Sequence, residues 1–316
     1  MTKNIGKSLI HYKVTDPSDD PMNPRFGTLR YGATKLGGKV WITFQRDMHI
    51  KLQRKLMVSS FTTIDGRGAN VHIADGAGFF LDQVHNVIIH GLHFHHLRSR
   101  APGSVIAPGS TVAQLSKTDG DAIRLVGASK VWIDHNTLHR CQDGLVDVTV
   151  GSTDVTISNN LFSHHDKVML LGHNDGFVQD KNMRVTIVLN RFGPHCDQRT
   201  PRIRHGYAHI ANNIYQGWGD YAIGGTMNPT VRSEANLFIA PKRNKEVTWK
   251  AGNSRSWNWR SVNDMFLNGA HFSETGKGSA RPHYNRRQRF KVARARAVRS
   301  LTKSAGALQC STRSRC

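Results

Sequence analysis

Val131-Trp132-Ile133-Asp134-His135-Asn136, Val155-Thr156-Ile157-Ser158-Asn159-Asn160, Val185-Thr186-Ile187-Val188-Leu189-Asn190, Ala208-His209-Ile210-Ala211-Asn212-Asn213 and Val231-Arg232-Ser233-Glu234-Ala235-Asn236 read as copies of one unit. Each sets an asparagine five positions after a small or β-branched residue, and the asparagines follow one another at steps of 24, 30, 23 and 23 residues. A fixed offset within the unit and a period near 23, with extra length at some turns, point to a solenoid rather than a sandwich; each step is one coil. Val87-Ile88-Ile89-His90-Gly91-Leu92 keeps the apolar alternation without the asparagine, and Val71-His72-Ile73 fits a coil before it. From about residue 55 to 240, Val, Ile and Thr clusters alternate with Gly, Asn and Asp clusters, and no long 3.6-residue apolar period appears. The asparagines are expected to occupy the same turn of successive coils, each amide bonding to the asparagine above and below and to backbone.

The flanks read differently. Residues 1–50, broken by Pro17, Pro21 and Pro24 but holding the strand-like Val40-Trp41-Ile42-Thr43-Phe44, are expected to cap a solenoid over residues 51–272. Residues 273–316 form an irregular, strongly basic tail, expected to be solvated and flexible. With 44 Lys and Arg against 22 Asp and Glu, the formal charge is +22, which calls for a polyanionic partner: nucleic acid, anionic membrane or acidic polysaccharide. No nucleic-acid-binding module is recognisable, and no apolar run approaches the roughly 18 residues of a membrane span. Met1-Thr2-Lys3-Asn4-Ile5 shows no apolar signal core. Of the four cysteines, Cys310 and Cys316 are close enough in sequence to pair in an oxidising compartment, whereas Cys141 and Cys196 lie more than a coil apart; zinc-site spacing is lacking.

Three groups of residues carry chemistry. Asp119-Gly120-Asp121 and Asp143-Gly144-Leu145-Val146-Asp147 are about one coil apart, so stacking would bring their carboxylates together. Such a wall of oxygens suits a hard dication such as calcium, although Asp-Gly is also an ordinary turn. In Gln198-Arg199-Thr200-Pro201-Arg202-Ile203-Arg204-His205-Gly206, Arg202 and Arg204 share one strand face and Arg199 lies across Pro201. Three crowded guanidiniums need a compensating anion, and a carboxylate or phosphate fits their fork. Lys167, twenty residues after Asp147, could join the same face.

Several of these runs resemble the motifs of plant pectate lyases: Val131-Trp132-Ile133-Asp134-His135, Asp143 to Asp147, Val168-Met169-Leu170-Leu171-Gly172-His173 and Arg199 to Gly206. Thr63-Ile64-Asp65-Gly66-Arg67-Gly68-Ala69 and Trp257-Asn258-Trp259-Arg260 extend the similarity, which spans roughly residues 12–272 and resumes at Leu301 to Leu308. The resemblance implies a right-handed parallel β-helix, secretion to the extracellular space or cell wall, calcium dependence, and eliminative cleavage of de-esterified polygalacturonate into products with a 4,5-unsaturated galacturonate at the non-reducing end. Carried over by motif, Asp121, Asp143 and Asp147 match the calcium-binding carboxylates, with Asp119 matching an additional ligand of some members. Arg199 matches the catalytic base, Lys167 and Arg204 the residues that hold substrate carboxylates, and Arg202 the supporting basic wall. The expected enzyme is a monomer with an alkaline optimum, binding neither nucleic acid nor membrane. Two other readings stay open on the residues themselves: a pectin-binding solenoid without activity, and a hydrolase working with a carboxylate pair.

Overall fold

The computed structural model describes residues 4, 6, 8–252 and 256–308. β-Branched residues at alternate positions make short strands that bury one face, and the asparagine corners bend the chain after each strand. One coil runs through Ser129–Asp134, Thr137–His139 and Val146–Thr149, then reaches Thr153–Ser158 at the start of the next. Stacked coils give three parallel sheets of ten, nine and eight strands. The first sheet extends from Leu9–Val14 to Asn258–Val262, the second from Met48–Ile50 to Met265–Leu267 and the third from Leu56–Met57 to Thr248–Lys250. The chain is a right-handed parallel β-helix, as the repeat predicts.

Register turns the repeat into packing. Ile64, Ile89, Ile133, Ile157, Ile187 and Ile210 fall opposite one another in successive strands of the first sheet and are all fully buried. Each such side chain contributes about 1.5–3 kcal/mol by leaving water. In the second sheet, Phe162, Phe192, Tyr215, Phe238 and Phe266 stack with ring centroids 4.5–5.5 Å apart.

The corner between the first two sheets contains a non-glycine residue in the left-handed region: His135, Asn159, Leu189, Asn212 and Ala235 all have φ between 50° and 60°. That backbone is costly for a residue with a Cβ, and the asparagine that follows offsets the cost. Asn160 Oδ1 accepts from the backbone N–H of Asn136 at 2.8 Å and from its side-chain amide at 3.1 Å, while Asn160 Nδ2 donates to Ile133 O and to Asn190 Oδ1. The same bonds continue through Asn213 to Asn236, as the fixed offset implies. The ladder ends on Asp264, whose Oδ1 accepts both donors of Asn236. A carboxylate there accepts two donors and requires no further member of the ladder.

At the N-terminal end, strands Leu9–Val14 and Lys39–Phe44 extend the first sheet, and the short helix Leu29–Thr34 buries Leu29 and Ala33 in the core. Arg30 on that helix is fully buried and bidentate on Asp19, at 2.6 and 2.9 Å. At the other end, the described part of the tail, residues 273–308, packs against the solenoid instead of standing free in solvent as expected. Tyr284 Oη bonds to Thr186 and His209, the Asn212 amide takes both the N–H and the carbonyl of Ala293, and Val298 is buried against Ile214 and Leu237. These apolar and hydrogen-bonding residues are scattered among the cations without a period. Cys141 and Cys196 are free, and Cys310 and Cys316 lie outside the described residues.

The outward side of the second sheet carries a histidine array. His72 stacks on His93 at 4.5 Å, His95 on His139 at 5.0 Å, and His72 Nδ1 lies 2.9 Å from His95 Nε2. Burial, then the neighbouring imidazoles, lowers His93, His95 and His139 to about 4. Neutral rings are therefore favoured in the fold. Their contribution to stability is fully present above the unfolded value of 6.5 and is lost as pH falls toward 4. Thermal melts of a His95→Gln/His139→Gln variant should show a shallower loss of melting temperature between pH 6.5 and 4.5 than the parent. Parallel pH profiles for the two proteins would remove the array from the acid response.

Candidate active site

The site is built on the outward face of the third sheet and on the loops that enter it. Pairing aligns Arg124 with Asp147, Asp147 with Leu170, Leu170 with Arg202, and Arg202 with Gly224, so side chains distant in sequence form one row along the solenoid axis. Asp119 and Asp121 enter just before this row, Asp143 one coil later, and Lys167 one coil after that; Lys167 pairs in turn with Gln198, the neighbour of Arg199. All eight residues singled out in the sequence thus lie along one face over four successive coils.

The acidic end is tightly organised. Asp119, Asp121 and Asp143 each offer a carboxylate oxygen within 4.8 Å of the other two. The backbone N–H of Gly144 donates to Asp121 Oδ1 at 3.0 Å. Asp147 completes the group because residue 144 is glycine: a Cβ there would lie 2.5 Å from Asp147 Oδ1 and 3.2 Å from Asp121 Oδ1. Asp121 is fully buried, and its Oδ2 makes no hydrogen bond. Two cations stand nearby. Lys55 Nζ, only 4% exposed, lies 3.5 Å from both Asp119 and Asp121, and Arg124 reaches Asp119 at 3.0 Å and Asp121 at 3.7 Å.

Burial, then the charge of Asp147, pushes Asp121 up to about 9. Burial also raises Asp147 to about 7, against the pull of Arg124 and with the help of Asp143. Asp119 moves down: its burial opposes this, but the neighbouring Asp121 carboxyl, which resists ionisation, and the charges of Lys55 and Arg124 outweigh it. A cluster in which two of four carboxyls resist ionisation is short of positive charge. The donor set is all oxygen, which fits a hard divalent cation rather than zinc or copper.

The basic end begins at Lys167, whose Nζ is 3.6 Å from Asp143 Oδ1. Arg199 adopts φ +58 and is held in place by its carbonyl, which accepts from the Met169 N–H at 2.7 Å, and by Thr200, which bonds to Ala222 O through its N–H and its hydroxyl. Arg202 lies over the Trp249 ring at 5.3 Å, and Trp249 stacks on Tyr221 at 5.1 Å. Burial, followed by Arg204, lowers Arg202 from its ordinary value. Arg204 Nε donates to Asp175 Oδ1 at 3.0 Å, and the same oxygen accepts from Thr226.

Lys55, Arg124, Asp175 and the Tyr221–Trp249 pair were not singled out in the sequence. Asp175 had one available signal: it sits in the extra length that stretches one asparagine step to 30 residues. Lys55 had none, being 64 residues from Asp119.

Residues 42–309 match the family model described as pectate lyase. The chain is 50% identical over 311 residues to putative pectate lyase 2 of Arabidopsis thaliana, covering 96% of this chain and 80% of that protein. It is 48% identical over 310 residues to pectate lyase 1 of Juniperus virginiana, covering 95% and 84%. Among solved structures, the major allergen from cedar pollen superposes with a TM-score of 0.92 at 48% identity, covering 95% of this chain and 89% of that one. A pectate lyase from Bacillus sp. N165 in complex with trigalacturonate shares the fold, with a TM-score of 0.67 at 23% identity over 85% of each chain.

Proposed function

The chain belongs to the pectate lyase family, and from that premise we propose how its residues divide the work of cleaving de-esterified polygalacturonate. The family found is the one the sequence motifs resemble. Residues 51–272 are read as the catalytic unit, residues 1–50 as its cap, and the place of action as the cell wall, with the enzyme a monomer. Among the described residues no helix is long and apolar enough to cross a membrane.

Asp121, Asp143 and Asp147, with Asp119, would hold calcium. When bound, that ion would supply positive charge to the uronate carboxylate and make the adjacent carbon 5 proton more acidic. Lys167 and Arg204 would bind substrate carboxylates, and Arg202 would add to the positive wall. Arg199 would take the proton from carbon 5. The electron pair of that C–H bond becomes the second bond between carbons 4 and 5, the bond from carbon 4 to the glycosidic oxygen breaks, and the departing oxygen gains a proton. Water is not consumed.

The observation that carries this reading is the continuous row on one face: carboxylates around the buried Asp121, whose Oδ2 makes no hydrogen bond, then Lys167, then three arginines. The arrangement favours elimination over hydrolysis, since the centre of the row offers guanidiniums rather than an acid and a base flanking a water. On polygalacturonate the protein should raise ultraviolet absorbance from the unsaturated product, a chelator should abolish the rise, and added calcium should restore it. New reducing ends without that absorbance would identify a hydrolase.

A further inference from the structure

We infer that the basic C-terminal strap is a second polysaccharide-binding surface, which holds long de-esterified pectate chains on a side of the solenoid separate from the catalytic groove. The choice of ligand rests on the function proposed above. Glu274 is the last acidic residue in the chain, and from Lys277 to Lys303 only cations carry charge. Six of them, Arg286, Arg287, Arg289, Lys291, Arg294 and Arg296, fall within eleven residues, and all six are exposed. None forms an ion pair with a described carboxylate, whereas Arg184, Arg232 and Arg260 on the body of the solenoid each do.

Such a segment would ordinarily stay disordered, because like charges repel and ordering costs entropy. Here it is fastened at intervals. Tyr207 Oη donates to Ala280 O at 3.0 Å, Tyr284 is hydrogen-bonded to Thr186 and His209, and both backbone groups of Ala293 bond to Asn212. Beyond the fully buried Val298 and Thr302, the Gly306 N–H bonds to Asn159 O and the Ala307 N–H to Thr137 Oγ1. Tyr284, Ala295 and Val298 face the solenoid while the six cations face water. The repulsion left uncompensated by the protein is relieved when a polyanion lies along the strap.

The anchors from Ala280 to Ala293 lie on the first sheet and its asparagine corner, Val298 and Ala307 reach the second sheet, and the groove occupies the third sheet. A polymer long enough can therefore be held at a place where it is not being cut. An acidic polysaccharide fits better than nucleic acid, since Tyr284 is taken up as an anchor on Thr186 and His209, which leaves Phe290 as the one exposed aromatic ring among the six cations and no series of rings on which successive bases could stack.

The test uses the full chain carrying Arg286→Gln, Arg287→Gln, Arg289→Gln and Lys291→Gln together. With the groove saturated by trigalacturonate and calcium chelated, retention on immobilised polygalacturonate should weaken by about tenfold or more, the sum of four surface ion contacts. The parent's retention should fall steeply with salt, while the initial rate on a short oligogalacturonate and the melting temperature should match between the two proteins. Unchanged polymer retention would overturn the inference, as would an equal loss of rate on the short oligomer. So would parent protein binding duplex DNA as tightly as pectate at matched salt. Loss of retention in the variant alongside a parent that makes no unsaturated product would leave the strap standing and sink the reading of the groove.

Discussion

Arg199→Lys is expected to leave pectate binding near that of the parent while the initial rate of unsaturated-product formation falls by at least about a hundredfold, the lower range for loss of a positioned general base. The guanidinium is aimed by its backbone. A non-glycine residue at φ +58 costs about 1–3 kcal/mol and persists only where its surroundings over-determine it. Here the Met169 N–H holds the Arg199 carbonyl, the neighbouring Thr200 is tied to Ala222, and the strand pairing of Arg202 begins two residues later. An ammonium on a flexible stem keeps the charge that attracts substrate but places no planar nitrogen pair at carbon 5. Lys167, Arg202 and Arg204 remain to bind the polymer.

Arg204→Ala should behave differently, weakening oligogalacturonate affinity because a carboxylate contact is removed and Asp175 loses the cation it now holds. Affinity measured with calcium present, together with initial rates at saturating substrate, separates the two variants. Near-parental turnover in Arg199→Lys would show that Arg199 is not the base, whatever the fate of the metal site.

What could be read from the sequence follows from which relations are local. The asparagine ladder was legible because residue and partner recur at one offset, and only its terminus, Asp264, escaped, since the last rung changes chemistry from amide to carboxylate. Arg199, Arg202 and Arg204 were legible as neighbours within six residues. Asp121 and Asp147 could be linked because the loop between their coils is close to the repeat length, which puts Arg124 opposite Asp147. Lys55 approaches the same carboxylates across loops of irregular length, and no period connects it to them. Asp175 reaches Arg204 from an insertion whose length was visible but whose direction was not. The tail shows the opposite error: its composition indicated a flexible segment, while a few residues such as Tyr284, Ala293 and Val298 decide its position.

Asp121→Asn should have effects of opposite sign on two measurements made with the same protein. The carboxyl of Asp121 has a folded value of about 9 against 3.8 for an ordinary aspartate. A raised value stabilises the fold below the unfolded value, and that contribution is lost as pH rises through the folded one. Without calcium at pH 8, the parent therefore bears the cost of a buried carboxyl next to Asp147 and Asp119, and an amide of the same shape removes part of it. The chelated variant should melt higher than the chelated parent by roughly 2 °C or more. Calcium should reverse the order. Metal binding must displace the protons on Asp121 and Asp147, so the parent's apparent calcium affinity should climb as pH rises from about 7 to about 9, with proton release on binding. The variant has one ligand charge fewer, so its affinity should be lower by about tenfold or more and its climb with pH should end earlier, near the value for Asp147. Calorimetric titration across this range, in buffers of different ionisation enthalpy, reads both the affinity and the protons released. A variant that binds calcium as tightly as the parent, with the same proton release, would take Asp121 out of the metal site even if its chelated form melts higher.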